Sequence, residues 1–429
     1  VRFSLKNNMS DITIDAPGLS TPQAVPPPFG FQPGMSGAEQ LAVIFQICES
    51  MGVSDIQIRS GLPVYIETNQ GMECLQGLGV LSSQDAYEIY RELLRHKEVG
   101  SHGFGEDSAQ DEDRIDAQIA LFNERCVDDF SCNGIYVATT GRVSGRLRVQ
   151  THLSASGIGV TIRILNDAIP SISSLGIDPD TAEMLRIAVQ KRAGLCLVTG
   201  PTGSGKSTTL AAIIDWLRRH HSKHIVTVED PVEYQYPFDM DDPQGSGAKV
   251  VAPSIVTQQE VGRDVKSYKQ GLKDVLRKAP HVILLGEIRD REAMETCMEA
   301  AQTGHLVLST LHTTGAVKTL GRILEMYPRE SHPAVLNRLS EVLIFILSQG
   351  LLNGIDKRVL TYEFLQNNED AVSSAIGGYD KGSRALEDAI KRSGNIAWDD
   401  KLLSIYQEGK ISQDVYENAR MHREDVELV

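Results

Sequence analysis

Leu41, Ile44, Phe45 and Cys48 recur at i, i+3, i+4 and i+7, so an amphipathic helix begins near Ala38. The period then shortens: residues 55–60 and 63–67 read as strands joined by the Gly61-Leu62-Pro63 turn. A helix follows over 83–96, with Ser83 as its cap, and strands resume at 134–139, 145–150 and 159–165. This first region predicts a small α+β domain over residues 38–167, closed by a linker at Pro170, Gly176 and Pro179. Beyond it, apolar runs at 195–199, 224–228, 282–285 and 305–311 alternate with helical stretches at 207–220, 265–278, 291–302 and 316–326. That alternation predicts a parallel sheet covered by helices, an α/β domain over residues 168–365. From Gln366 the chain turns polar and predicts a small helical tail over 366–429, while the Pro-, Gly- and Ser-rich residues 1–37 predict a disordered arm.

The length of 429 residues suits two or three such domains. With 57 acidic against 42 basic side chains, the net charge of −15 argues against a protein that coats nucleic acid. Nearly half of that charge is local, since residues 106–129 hold nine acidic and two basic side chains, the pattern of a solvated insertion. Six cysteines without a CxxC pair predict neither a disulfide scaffold nor a zinc knuckle. The most apolar run, Val342 to Leu347, falls far short of the roughly 20 residues a membrane-spanning helix needs. Residues 1–14 lack the apolar core of a secretion signal, so a cytoplasmic location is expected, with Met9 a candidate start in a chain that opens on Val1.

Gly200-Pro201-Thr202-Gly203-Ser204-Gly205-Lys206-Ser207 matches GxxxxGK[ST] between an expected strand and an expected helix. Its glycines let backbone N–H groups turn inward around phosphates; Lys206 reaches the β and γ oxygens, and the Ser207 hydroxyl suits Mg²⁺. Thr208 completes the expected nucleotide-binding set. Nucleotide hydrolysis also needs a carboxylate, and Glu287 emerges at the carboxyl end of the apolar run Val282-Ile-Leu-Leu, where open α/β sheets bind ligands. Glu229, Asp230 and Glu233 cluster after the run 224–228; they read either as cation and water ligands or as a solvated acidic turn. Glu287 and Glu233 join Ser207 as the expected Mg²⁺ ligands. His305 and His312 bracket the fourth run, and the choice stands between structural histidines and sensors of a γ-phosphate.

These stretches resemble the secretion and pilus-motor ATPases, the P-loop family that includes PilT. The resemblance rests on Gly200 to Ser207, Val228-Glu-Asp-Pro-Val-Glu233, Ile283-Leu-Leu-Gly-Glu-Ile-Arg-Asp290 and Thr303-Gly-His-Leu-Val-Leu-Ser-Thr-Leu-His312. Further support comes from Glu260-Val-Gly262, Leu276-Arg277 and the run from Ser54 through Pro63, which is similar to the opening of the family's PAS-like domain. Leu276-Arg-Lys-Ala-Pro280, the acidic insertion and the Pro-rich arm look most like the DotB and TraJ branch of type IVB secretion and plasmid conjugation. The resemblance implies a RecA-like ATPase core behind a PAS-like domain, a homohexamer using ATP and Mg²⁺, and recruitment to an inner-membrane platform or coupling ATPase. It also implies arginines from the N-terminal domain at the nucleotide, for which Arg146, Arg148 and Arg163 are the matching positions; their other reading is a solvent-facing strand edge. A pilus-retraction ATPase would share every motif. A RecA-like nucleic-acid translocase is the reading that the charge and the lack of an aromatic and basic strip oppose, so direct nucleic-acid binding is not expected. A nucleotide-gated scaffold that binds ATP without turnover is the non-enzymatic alternative.

Overall fold

The structure, a computed structural model, describes residues 30–32, 34–49, 51, 53–68, 71–97, 108–132, 136–137, 141–142, 146–165, 168–379, 384–392 and 395–421. Alternate residues of its first strands, among them Ile56, Ile58, Val149, Val160 and Ile162, are fully buried, which is the burial of a sheet covered on one face. The strands are β1 (Asp55–Arg59), β2 (Tyr65–Thr68), β3 (Gly71–Cys74), β4 (Val127–Cys132), the two-residue pair β5 (Tyr136–Val137) and β6 (Gly141–Arg142), β7 (Leu147–Ser154) and β8 (Gly157–Ile164). Six of them form one antiparallel sheet in the order β3-β2-β1-β8-β7-β4. Helices α1 (Gly37–Glu49), α2 (Ser83–Arg95) and α3 (Ser108–Arg125) share its core through Leu41, Ile44, Phe45, Ile89, Leu93 and Phe122.

The centre of the second sheet is built from strands buried on both faces. Its elements are β9 (Gly194–Thr199), β10 (His224–Glu229), β13 (Ile255–Glu260), β14 (Val282–Leu285), β15 (Leu306–Leu311), β16 (Leu343–Asn353) and β17 (Arg358–Gln366), with a small hairpin of β11 (Asp239–Asp241) and β12 (Lys249–Val251) beside it. The order is β13-β10-β14-β15-β9-β16-β17, parallel throughout except for the β16–β17 hairpin. Successive residues of β9 face opposite layers: Leu195 and Leu197 pack with α6 (Tyr268–Val275), α7 (Arg291–Gln302), α8 (Ala316–Glu325) and α9 (His332–Val342), whereas Cys196 and Val198 pack with α4 (Pro179–Ala188) and α5 (Lys206–His220). The chain closes with α10 (Asp370–Gly377), α11 (Arg384–Arg392), α12 (Trp398–Gln407) and α13 (Gln413–Ala419). Among the described residues no helix is long and apolar enough to cross a membrane.

The structure corrects several expectations. The acidic stretch is not a loop, because residues 108–125 are helical and bury Ile115, Ile119 and Phe122 while Asp113, Asp116 and Glu124 stay exposed. Its helix is tied to α2 by Arg91, which bonds Glu112 and Asp116. Ser82, one residue before the expected Ser83, caps α2 in a reciprocal capping box with Asp85. Pro179 opens α4 at its first turn, where its missing N–H costs nothing, so the expected linker ends in a helix. Strands β13, β16 and β17 and helix α9 had no counterpart among the expected elements. The apolar run Val342 to Leu347 is largely the start of β16, buried between β9 and β17. Residues 1–29, most of the expected arm, and residues 422–429 of the tail lie outside the described residues, as do parts of the expected strands at 134–139 and 145–150.

The Phe122→Ala substitution tests whether the acidic segment belongs to the core. It should lower stability to chemical denaturation by about 3–5 kcal/mol; a solvated insertion would tolerate the change without measurable loss.

Candidate active site

All the parallel strands point the same way, so their carboxyl ends share one edge of the sheet. At the end of β9 the chain turns through residues 200–205 into α5. Gly200 has φ 144°, and a methyl group there would overlap the Gln349 carbonyl oxygen on β16; Gly203 and Gly205 take φ 77° and 84°. Only glycine adopts this sequence of conformations without strain. Gly205 stands at the cap position of α5 and offers no side chain, so the first N–H groups of the helix are left for an anion. Lys206 is buried at the centre, its Nζ donating to the carbonyls of Gly200 and Pro201 at 2.9 Å each. Burial pushes its pKa down, against the opposing pull of Glu287 and Glu233. The Ser207 side chain is exposed at the same edge, and the Thr208 hydroxyl meets the Tyr234 hydroxyl at 3.0 Å.

Glu287 follows β14, two strands from the phosphate loop. Hydroxyls of β15 pin its turn: Ser309 Oγ donates to the Leu285 carbonyl at 2.7 Å, and Thr310 Oγ1 to the Gly286 carbonyl at 2.6 Å. The carboxylate itself is held by Arg289 Nε at 2.8 Å and faces His312 Nε2 at 3.2 Å. Glu229 closes β10. Its Oε1 accepts from Thr227 Oγ1 at 2.6 Å and Gln258 Nε2 at 3.3 Å, yet burial dominates and raises its pKa to about 7. A carboxyl that titrates near neutrality can take a proton at physiological pH, which is what a base in hydrolysis must do.

The arginines divide. Arg146 is buried, and its Nη1 donates to the Glu233 carbonyl at 3.1 Å, so the first sheet touches the acidic turn of the second. Arg148 makes a two-bond pair with Asp129 at 3.2 and 2.9 Å, which raises its pKa, and it also feels the charges of Glu233 and Asp230. Arg163 sits opposite Arg148 on the neighbouring strand but pairs with Asp55 at 2.8 Å and stays more than half exposed. Nothing ties Arg163 to the acidic turn in this arrangement. His305 is a plain correction. It directly precedes β15, at the amino edge of the sheet, with Nδ1 3.1 Å from the Ala300 carbonyl. His312 lies seven residues on, roughly 20 Å away at strand rise, so only His312 joins the site.

Hard oxygen donors suit Mg²⁺, and Ser207, Glu287, Glu229 and Glu233 provide them at one edge. Among the described residues no three acidic, histidine or cysteine side chains converge as a metal site on their own.

The sequence pattern described as "Type II/IV secretion system protein" matches residues 114–426, about three quarters of the chain. The chain belongs to this family. Type II/IV secretion family relatives include the type IV pilus retraction ATPase PilT of Pseudomonas aeruginosa, 34% identical over 315 residues, 73% of this chain and 78% of that protein. The crystal structure of the pilus retraction motor PilT with bound ADP superposes with a TM-score of 0.71 and 30% identity over 91% of this chain and 99% of that one. The ATPase DotB of Legionella pneumophila shares the fold, with a TM-score of 0.70 at 22% identity, covering 90% and 97% of the two chains. Membership makes the chain an ATPase, the enzyme class that the phosphate loop and its carboxylates already called for.

Ser309, Thr310 and Arg289 lie within the matched stretches and Tyr234 directly after one, but nothing in their residue type marks them as supports of Glu287 or Thr208. Gln349 lies far from every motif and carries no signal in the sequence.

Glu229 generates a sign-definite prediction. Its folded pKa of about 7 exceeds its ordinary 4.5, so the folded state keeps a proton that the unfolded chain has lost. Its favourable contribution is complete below about 4.5 and fades as pH rises through 7. Glu229→Gln should therefore be more stable than the wild type in urea at pH 8, with the gap closing towards pH 4.5; a pH-independent gap would contradict the assignment.

Proposed function

We propose that this chain is a Mg²⁺-dependent ATPase motor, active as a homohexamer, that energises a pilus or type IV secretion apparatus at the inner membrane. The observation that carries this reading is the single edge shared by the phosphate loop, Glu287, Glu229 and His312, with Arg146 closing on it from the other sheet. The second sheet is then a RecA-like core spanning residues 168–365, and residues 38–167 form a PAS-like domain that shuts over it. Two finer readings divide the support. The 34% identity with PilT favours pilus retraction, whereas the branch-like wording at 276–280 favours the type IVB secretion and conjugation motors.

The chemistry follows from the residues. Lys206 exchanges its two loop carbonyls for phosphate oxygens, and the N–H groups opening α5 turn towards the same charge. Ser207 and Glu287 would hold Mg²⁺, with Glu233 within the same acidic cluster, and the ion would supply charge neutralisation at the phosphates. Glu229 accepts the proton of the attacking water, and His312, bonded to Glu287, is placed to register whether the terminal phosphate is present. Arg146 and Arg148 neutralise charge from across the cleft, so domain closure and hydrolysis are coupled: charge lost at the nucleotide releases the hold of one sheet on the other.

The Glu287→Gln form should bind ADP with near wild-type affinity while ATP turnover falls by roughly 10²–10³-fold, on the order expected when one positioned electrostatic group is lost from the transition state. Wild-type turnover would remove Glu287 from the chemistry. Proteins recovered with this trapped form separate the finer readings, because a pilus platform and a secretion coupling ATPase are different partners. DNA-stimulated turnover would instead favour a translocase.

A further inference from the structure

Gln349 lies in β16, 145 residues beyond the phosphate loop, and is 1% exposed. Its Nε2 donates to the carbonyl of Ser204 at 2.7 Å. In a trans peptide the C=O and the following N–H point in opposite directions. A carbonyl of Ser204 drawn towards β16 therefore turns the N–H of Gly205 away from β16. The same strand forms the floor under Gly200, since any side chain there would strike the Gln349 carbonyl. Gln349 thus meets the loop twice, once through its side chain and once through its backbone. Two further polar atoms mark the contact as set for a change: among the described residues neither Gln349 Oε1 nor the buried Ser204 Oγ has a hydrogen-bond partner. Buried polar groups are rarely left unpaired in a static core.

We propose that Gln349 is a positioning residue for nucleotide binding: its amide donor fixes the Ser204–Gly205 peptide so that the Gly205 N–H faces the phosphates. The inference rests on the reading of residues 200–207 as the nucleotide site. The neighbouring residues of β16 extend the same device. Ser348 Oγ accepts from Gly315 N at 2.7 Å, holding the turn that follows His312, so consecutive residues of one strand brace both loops of the site. Gly350 lies against the Trp398 ring, where a methyl group would come within 2.8 Å of the indole, so the same strand runs directly beneath α12.

The role needs a donor, not bulk, and this makes it separable from packing. Gln349→Met keeps the length and apolar fill but removes the donor. It should weaken ADP binding about tenfold and raise the KM for ATP by a similar factor, with kcat within about twofold of the wild type. Gln349→Glu keeps the shape and can donate only while protonated, so the ratio of its ADP affinity to that of the wild type at the same pH should approach one near pH 5.5 and fall away by pH 8.5. Calorimetric ADP titrations of the full-length wild type and both variants across that range decide it. Unchanged ADP affinity in Gln349→Met would overturn the proposal, as would a Gln349→Glu affinity whose ratio to the wild type does not change with pH. Should Gln349→Met fail to fold, the pH profile of Gln349→Glu alone decides. If the wild type itself bound no ADP, the nucleotide-site reading would fail instead, and the two failures are distinct.

Discussion

The interaction on which the rest depends is the grip of Lys206 on the carbonyls of Gly200 and Pro201. A buried ammonium is costly unless hydrogen-bonded, and here the loop that a phosphate would occupy supplies the bonds itself. The loop's glycines are needed to bring those carbonyls inward, and the sheet is needed to hold the glycines. β9 therefore lies between β15 and β16, buried on both faces, with the loop springing from its carboxyl end. The arrangement stands ready for exchange: an incoming phosphate replaces two neutral acceptors with charged ones, which form stronger bonds to the same ammonium.

Around that centre each neighbouring strand supplies one part. β14 delivers Glu287, β15 rivets the Glu287 turn through Ser309 and Thr310 and ends at His312, and β16 braces the loop from the other side. β10 delivers Glu229 in a setting dry enough to hold its proton near neutrality. Parallel strands make this economy possible, because each contributes its carboxyl end to the same edge. The antiparallel sheet contributes from above, through Arg146 on the Glu233 carbonyl and the Arg148–Asp129 pair.

What the chain reveals unaided is what is local. The boundaries of Val282–Leu285 and Arg291–Gln302 could be read directly, the second because Asp290 caps its helix by accepting from Ala293 N. The phosphate loop is local too, a single run of residues between strand and helix. Long-range partners leave no such mark: Gln349 bonds a carbonyl 145 residues away, and Ser309 one 24 residues away. His305 and His312 look equivalent in the sequence, since each flanks the same apolar run. Strand direction separates them, and direction relative to the loop is known only once the sheet order is known. The acidic segment misled through charge: Ile115, Ile119 and Phe122 share a helix face spaced i, i+4 and i+7, but nine carboxylates outweighed three apolar residues in the reading. β13 was missed because Ile255-Val-Thr-Gln-Gln-Glu260 is the half-polar pattern of an edge strand, unlike the buried strands beside it.

The proposed motor stands or falls with Lys206, in its glycine loop, as the seat of the nucleotide. Calorimetric titration of ADP with Mg²⁺ into the wild type and Lys206→Met tests it most directly. One saturable site per wild-type chain and no detectable site in Lys206→Met are expected. Equal binding by the two proteins would contradict it.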